Sequence, residues 1–241
     1  MKFGSVCEKG RRPQNQDGVL CRFEKGRVPL AAVSDGMGGH LAGDAASALS
    51  LQVLEEATRS FSSQPQDILG IAFKQANEAV LEASRQDPGK EGMGATLVAA
   101  LLYPDHFITA NTGDSRLYLL EQGRLRQITH DHSYVQELVR MGVITEEQAM
   151  RHPKRNLITR CIGSEGDYEP DLFYIRWQKG DLLLLCSDGL SGVLPKETME
   201  ELLNEKSVPQ KKCKKLVELA YKKGSTDNIT ALIVENDEEI L

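Results

Sequence analysis

Five aspartates in this chain stand where a carboxylate can do chemistry: Asp17, Asp35, Asp114, Asp188 and Asp227 lie at expected strand edges, among small or polar neighbours. Asp35 ends the apolar run Leu30-Ala31-Ala32-Val33-Ser34 and leads into Gly36-Met37-Gly38-Gly39-His40. Ser-Asp-Gly recurs at 187–189, after a second apolar run. A carboxylate on a rigid strand end, beside an open backbone carbonyl, suits a hard cation such as Mg²⁺ or Mn²⁺. One Asp-Gly pair alone is only a favoured turn, so the recurrence carries the weight. Strands packed in one core share two ends, and carboxylates at those ends can meet although far apart in sequence. Without a cation they would repel and raise one another's pKa. Two divalent ions ~3.5–4 Å apart remove that penalty, activate a water and clamp a phosphoryl group for in-line attack. Arg12, five residues before Asp17, offers forked donors to phosphate oxygens. Surface solvation is the plain alternative for that arginine.

Composition sets the frame for such a site. The 241 residues fit one large domain or two small ones, and 40% hydrophobic with 27% charged residues is the balance of a globular protein with a real core. A net charge of −6 argues against a broad nucleic-acid footprint. Cys7, Cys21, Cys161, Cys186 and Cys213 are odd in number and scattered without a Cys-x-x-Cys, which favours a reducing compartment over a disulfide or zinc framework. Neither a signal-peptide core nor a run approaching the ~20 apolar residues of a membrane span is visible. A cytoplasmic protein without membrane or nucleic-acid partners is expected.

The elements that must position these residues can be read in order. Strands are expected near Lys2–Cys7, Gly18–Phe23 and Val28–Ser34. Helical spacing follows, with Ala46, Leu49, Val53 and Ala57 on one face, then a second helix from Gln66 to about Ser84 that turns Leu69, Ala72, Phe73, Ala76 and Val80 inward. Strands are expected over Ala95–Tyr103, His106–Thr112, Arg116–Glu121 and Leu125–Thr129, over Asp181–Cys186 and over Ile229–Glu235. Helices are expected near Lys196–Asn204 and Pro209–Lys223. The stretch from about 131 to 171 differs: two short helices, Tyr134–Met141 and Glu146–Met150 behind a Thr145/Gln148 capping box, and the cations Arg140, Arg151, Lys154, Arg155 and Arg160. It reads as a subdomain inserted over the site, or else as a solvated helical hairpin. Strands and helices come in runs, an α+β order, and no linker or repeat divides the chain, so residues 1–241 are expected to form a single domain.

Six motifs then fall in sequence: Gly10-Arg11-Arg12-Pro13-Gln14-Asn15-Gln16-Asp17, Asp35-Gly36-Met37-Gly38-Gly39, Gly94-Ala95-Thr96, Gly113-Asp114-Ser115-Arg116, Ser187-Asp188-Gly189-Leu190 and Asp227-Asn228-Ile229-Thr230. Together they resemble the bacterial-type form of the metal-dependent protein phosphatase family, also called the protein phosphatase 2C family. His152-Pro153-Lys154-Arg155-Asn156 and Thr159-Arg160 resemble its flap. The resemblance implies a four-layer α/β/β/α sandwich of two antiparallel sheets flanked by helices, with an inserted flap subdomain. It implies hydrolysis of phosphoserine and phosphothreonine in proteins by a dimetal-activated water, without a phosphoenzyme. The cofactors implied are two Mg²⁺ or Mn²⁺ per site. Asp35 bridges them, the Gly36 carbonyl binds one, Asp188 and Asp227 bind the second, and Asp17 holds water in the metal shell. Asp114 with Asp188 takes a third, weaker ion, and Arg12 grips the phosphate. Phosphorylated proteins and a counteracting serine/threonine kinase are the implied partners, and a monomer is expected. Two departures stand out. Met37 occupies the place of a histidine that in some members protonates the leaving oxygen, which leaves His40 or a metal-shell water for that role. Gln16 replaces a common glutamate, which is expected to loosen a metal.

Three rival readings remain. Cys21 and Arg27 have the Cys-x5-Arg spacing of cysteine phosphatases, but the intervening Arg22-Phe23-Glu24-Lys25-Gly26 is a poor phosphate cradle. A phosphatase-like binding module without turnover is the second, since fold does not fix function. A structural Ca²⁺ site is the third, although Ca²⁺ usually draws its oxygens from one compact loop.

Overall fold

The interior strands are apolar at nearly every position because both of their faces are covered. In the computed structural model, which describes residues 1–38, 42–59, 65–166 and 168–237, alternate side chains of one strand enter two different cores. Along the chain run β1 (Lys2–Glu8), β2 (Asp17–Arg22), β3 (Leu30–Met37), α1 (Ala42–Ala57), α2 (Pro65–Gln86), β4 (Gly94–Ala95), β5 (Leu97–Leu102), β6 (His106–Thr112), β7 (Arg116–Glu121), β8 (Arg124–Gln127), α3 (Tyr134–Arg140), α4 (Glu146–Met150), β9 (Asp171–Arg176), β10 (Leu182–Cys186), α5 (Asp188–Ser191), α6 (Lys196–Leu203), α7 (Pro209–Lys222) and β11 (Ile229–Glu235). One sheet has the order β1-β11-β10-β7-β8 and the other β2-β3-β5-β6-β9, with β4 paired to β3. Every pairing is antiparallel.

Between the sheets lie Ala31, Val33, Val98, Ala100, Leu117, Leu119, Leu183, Leu185, Leu232 and Val234. Their sequence neighbours point the other way. Leu30, Ala32, Ala99 and Leu101 pack under α1 and α2, while Leu182, Leu184, Cys186, Ala231 and Ile233 pack under α6 and α7. The period-2 alternation of a strand thus builds three cores from one set of residues, and the layers stack as α/β/β/α.

The α2 expectation holds in full, with Leu69, Ala72, Phe73, Ala76 and Val80 all completely buried. Four readings need correction. First, β3 does not stop at Ser34. It runs through Asp35-Gly36-Met37, because Gly36 and Met37 find partners in Ala95 and Gly94. Second, the strand expected over 95–103 is broken at Thr96 into β4 and β5. Third, the inward face of α1 is rotated: Ala46, Ser47, Ser50, Leu51 and Leu54 are buried, while Leu49, Val53 and Ala57 flank them partly exposed. Ser47 and Ser50 can be buried there because they bond back to their own helix, as when the Ser50 hydroxyl donates to the Ala46 carbonyl at 2.7 Å. Fourth, β9 was not foreseen. Leu172 and Tyr174 are exposed on one face and Phe173 and Ile175 half-buried on the other, so no polar alternation marks it as a strand.

The Thr145/Gln148 capping box is present as read. The segment 131–171 is tied to the sandwich where Ile162 bridges Ala95, and it is closed on itself where Ser133 bridges Ile158.

Candidate active site

Antiparallel pairing brings the beginnings of β2, β5, β7 and β11 to the same end as the finishes of β1, β3, β6 and β10. Asp17 and Asp35 face each other in the β2–β3 register. Asp114 sits in the turn where the chain crosses from β6 in one sheet to β7 in the other, Asp188 opens α5 directly after β10, and Asp227 precedes β11. Carboxylates from both sheets therefore line one cleft of about 270 Å³, with Arg12, Gln16, Gly36, Met37, Thr96, Asn156, Ile158 and Asn228. The 131–171 segment borders the cleft through Asn156 and Ile158.

Contacts from distant strands place Asp17 and the Asp35 backbone. Asp17 is buried, and its Oδ2 accepts from the Ser187 hydroxyl at 2.7 Å and the Thr230 hydroxyl at 2.6 Å. The Asp35 backbone is clasped by Thr96: its N–H donates to Thr96 Oγ1 at 3.0 Å, and its carbonyl accepts from the Thr96 N–H at 2.8 Å. Gly36 must be glycine, since a Cβ there would lie 1.9 Å from the Gly43 carbonyl oxygen at the start of α1. Gly113 adopts φ +106 and presses on Thr96, which sets the turn for Asp114.

The electrostatics are those of an acid cluster in which burial and mutual repulsion outweigh the Arg116 and Arg12 charges that act on Asp188. Burial, and then the Asp17, Asp188, Asp114 and Asp227 charges, push the Asp35 carboxyl well above the usual carboxylate range. Burial, with Asp188 and Asp131, raises Asp114 to about 8. Asp17 rises to about 6, burial outweighing its two hydroxyl donors. Burial and the neighbouring Asp227 raise Asp188 as well. Asp17 Oδ1 and Asp188 Oδ1 are buried without a hydrogen-bond partner. Orphaned acceptor oxygens in an acidic cleft fit hard divalent cations, which take oxygen ligands and relieve the repulsion. Among the described residues no three such side chains are already drawn into a closed coordination cage.

Arg12 reaches the cleft, but its guanidinium donates to Asp227 Oδ2 at 2.8 Å. With the two side chains 53% and 33% exposed, this pair is worth at most about 1 kcal/mol, and a phosphate can take the guanidinium from it. Gln16 does not fill the cleft with its amide. The side chain lies against Gly43, and the Gln16 backbone carbonyl accepts from the Gly36 N–H at 3.0 Å. Met37 lines the cleft as expected. His40, the candidate proton donor, lies outside the described residues.

The cysteine-phosphatase alternative does not survive. Cys21 pairs with Ala31 inside the β2–β3 ladder, burial pushes its thiol up to about 12, and Arg27 pairs with Glu24 at 3.2 Å. A nucleophilic thiolate needs the opposite shift.

Several residues with a part in the site were not singled out from the sequence: Thr96, Ser187, Thr230 and Asn228. Each lies inside one of the six motifs, next to an aspartate or in the turn that meets it, and that adjacency was the available signal.

Comparison with known proteins agrees with this geometry. A family model described as Protein phosphatase 2C matches residues 9–227. The serine/threonine phosphatase stp of Listeria monocytogenes serotype 4b (strain F2365) is 40% identical over 236 residues, covering 95% of this chain and 94% of its own. The crystal structure of the Mycobacterium tuberculosis serine/threonine phosphatase PstP/Ppp superposes with a TM-score of 0.90 at 36% identity, covering 98% of each chain. A PstP catalytic domain solved in complex with two manganese ions superposes with a TM-score of 0.86 at 34% identity, covering 97% of each chain.

Proposed function

The chain belongs to the protein phosphatase 2C family and is a metal-dependent serine/threonine protein phosphatase, and from that premise we propose that the acidic end of the sandwich is its catalytic centre. The observation that supports this most is the cluster itself: four carboxyls raised by burial and mutual repulsion, two of them with orphaned oxygens, beside an arginine free to exchange partners. In this reading Asp35, the Gly36 carbonyl, Asp188 and Asp227 would hold two divalent cations, and Asp17 would orient a water. Asp114 with Asp188 would hold a third, weaker ion. When bound, the cations supply Lewis-acid neutralisation and a water of lowered pKa.

The chain's own groups do the rest. Arg12 leaves Asp227 and donates to two phosphate oxygens, fixing the phosphorus in the cleft. Ser187 and Thr230 pin Asp17 Oδ2, so that Oδ1 remains to accept a hydrogen from water. As the water oxygen bonds to phosphorus, the bond from phosphorus to the seryl or threonyl oxygen breaks, and that oxygen must gain a proton. Met37 has none to give, and we assign the role to His40. No side chain carries the phosphoryl group.

We further infer that Mg²⁺ or Mn²⁺ serves, that a serine/threonine kinase supplies the phosphoprotein substrates, and that the protein acts as a cytoplasmic monomer. Among the described residues no helix is long and apolar enough to cross a membrane. The whole chain, residues 1–241, is taken as one catalytic domain with 131–171 as its flap. Phosphate release from a phosphothreonine peptide, with Mn²⁺ and with EDTA, is the test. Release that needs the metal, with solvent ¹⁸O entering phosphate in a single turnover, is expected. Absence of release from the metal-loaded protein would overturn turnover and favour a binding module.

A further inference from the structure

We propose that Asn228 is the positioning residue for Arg12. The proposal rests on the reading of Arg12 as the phosphate-binding residue.

Asn228 lies just before β11 and is only 4% exposed. Its side-chain NH₂ donates to the backbone carbonyls of Lys9 and Gln14, both at 2.8 Å, and its Oδ1 accepts from the Gln16 N–H at 2.9 Å. One amide thus holds three backbone groups spread across the loop from 9 to 16, and that loop carries Arg12. The Lys9 carbonyl that it grips also accepts from the Arg12 N–H at 3.2 Å, so the turn bearing Arg12 starts from an atom that Asn228 holds. The guanidinium ends on Asp227, whose other oxygen accepts from the Asn228 backbone N–H at 2.9 Å. Gly10, with φ +58, lets the loop lie flat on this segment, since a Cβ there would stand 2.2 Å from the Asp227 carbonyl oxygen.

Only asparagine meets the demand. Two donors must face two carbonyls while an acceptor faces an N–H, all on a short stem. Aspartate turns a charged oxygen toward the carbonyls, glutamine overreaches, and alanine removes all three contacts, leaving the Lys9 carbonyl only its bond from the Arg12 N–H. Loosening the loop lets Arg12 wander. The loss then falls on phosphate binding, because the backbone N–H that orients Asp227 survives any such substitution.

The test is a double-mutant cycle in the metal-loaded protein with a phosphothreonine peptide. Arg12→Ala alone should raise KM about tenfold, and Asn228→Ala about five- to tenfold with kcat within about twofold. The double variant should have a KM within about twofold of Arg12→Ala, because removing the guanidinium leaves the clamp nothing to position. The Mn²⁺ concentration for half-maximal activity should stay within about twofold, and the Gln16 amide should exchange its hydrogen faster in Asn228→Ala. KM effects that multiply in the double variant, or an Asn228→Ala KM that does not move while that of Arg12→Ala does, overturn this inference alone. An Arg12→Ala KM that does not move overturns the Arg12 assignment and this inference with it. If Asn228→Ala does not fold, Asn228→Asp, which keeps the volume, is put through the same cycle with the same deciding outcomes.

Discussion

At one end of the two sheets, Met1, Phe23, Val28, Pro29, Leu102 and Tyr103 close an apolar recess, with Phe3 stacked on Phe23 at 4.7 Å. At the other end of the same strands Asp35, Asp114, Asp188 and Asp227 line the cleft, with Asp17 buried beside Asp35 in the β2–β3 register. The apolar end is satisfied within the chain, by packing and by paired charges, the Met1 ammonium with Asp237 and Arg27 with Glu24. The acidic end is not: carboxyls are raised by burial and by one another, and two oxygens lack partners. The difference teaches where stability is spent. A sandwich closed by apolar side chains at one end can tolerate a strained, charged mouth at the other, and that mouth is relieved only by ligands from outside.

The largest effect expected from breaking this contrast is at Asp35. Asp35→Asn should cut phosphate release from a phosphopeptide by at least about 10³-fold if, as proposed, its carboxylate holds the cations. The same variant should melt no lower than the parent in EDTA. A lower melting temperature there would mean that the carboxyl stabilises the fold rather than straining it. At the opposite end, Leu102→Ala, at 1% exposure, should cost about 3 kcal/mol in urea unfolding while leaving kcat/KM unchanged at temperatures where the protein stays folded. Loss of activity there would show the two ends to be coupled.

The pH dependence of the metal-free protein sharpens the contrast further. Asp114 titrates at about 8 and Asp17 at about 6 in the folded chain, against about 3.9 when unfolded. The folded state therefore binds more protons across that interval. The stabilisation from holding those protons is complete below about pH 4 and is lost as pH rises through about 6 and then about 8. Asp114→Asn should flatten this slope, most visibly between about pH 6 and pH 8, and raise metal-free stability at pH 8. Denaturant titrations at several pH values in EDTA check it. The smallest effect is at Arg12. Arg12→Ala should raise KM about tenfold with kcat reduced only slightly, since its ion pair with Asp227 is solvent-exposed and cheaply given up.

Much of this was legible in the residues. Unbroken apolar runs such as Leu182–Cys186 announce strands buried on both faces, and Leu69, Phe73, Ala76 and Val80 announce the inner face of α2. The inner face of α1 was not legible, because Ser47 and Ser50 read as polar until a helix bond hides the hydroxyl of Ser50. β9 was not legible, because exposed Leu172 and Tyr174 erase the alternation that would mark a half-buried strand. The extension of β3 through Gly36 depends on β4, a partner some sixty residues away.

By itself the sequence determined which residues were charged, which were small, and the order in which the motifs came. Those are local properties of side chains, and they sufficed to nominate Asp17, Asp35, Asp114, Asp188, Asp227 and Arg12. What the tertiary structure alone decided was who holds whom: Thr96 on Asp35, Ser187 and Thr230 on Asp17, Asn228 on the loop of Arg12, and Arg12 on Asp227. Hydrogen bonds form between atoms a few ångströms apart in space, and antiparallel registry between distant strands sets those distances, which no window along the chain contains.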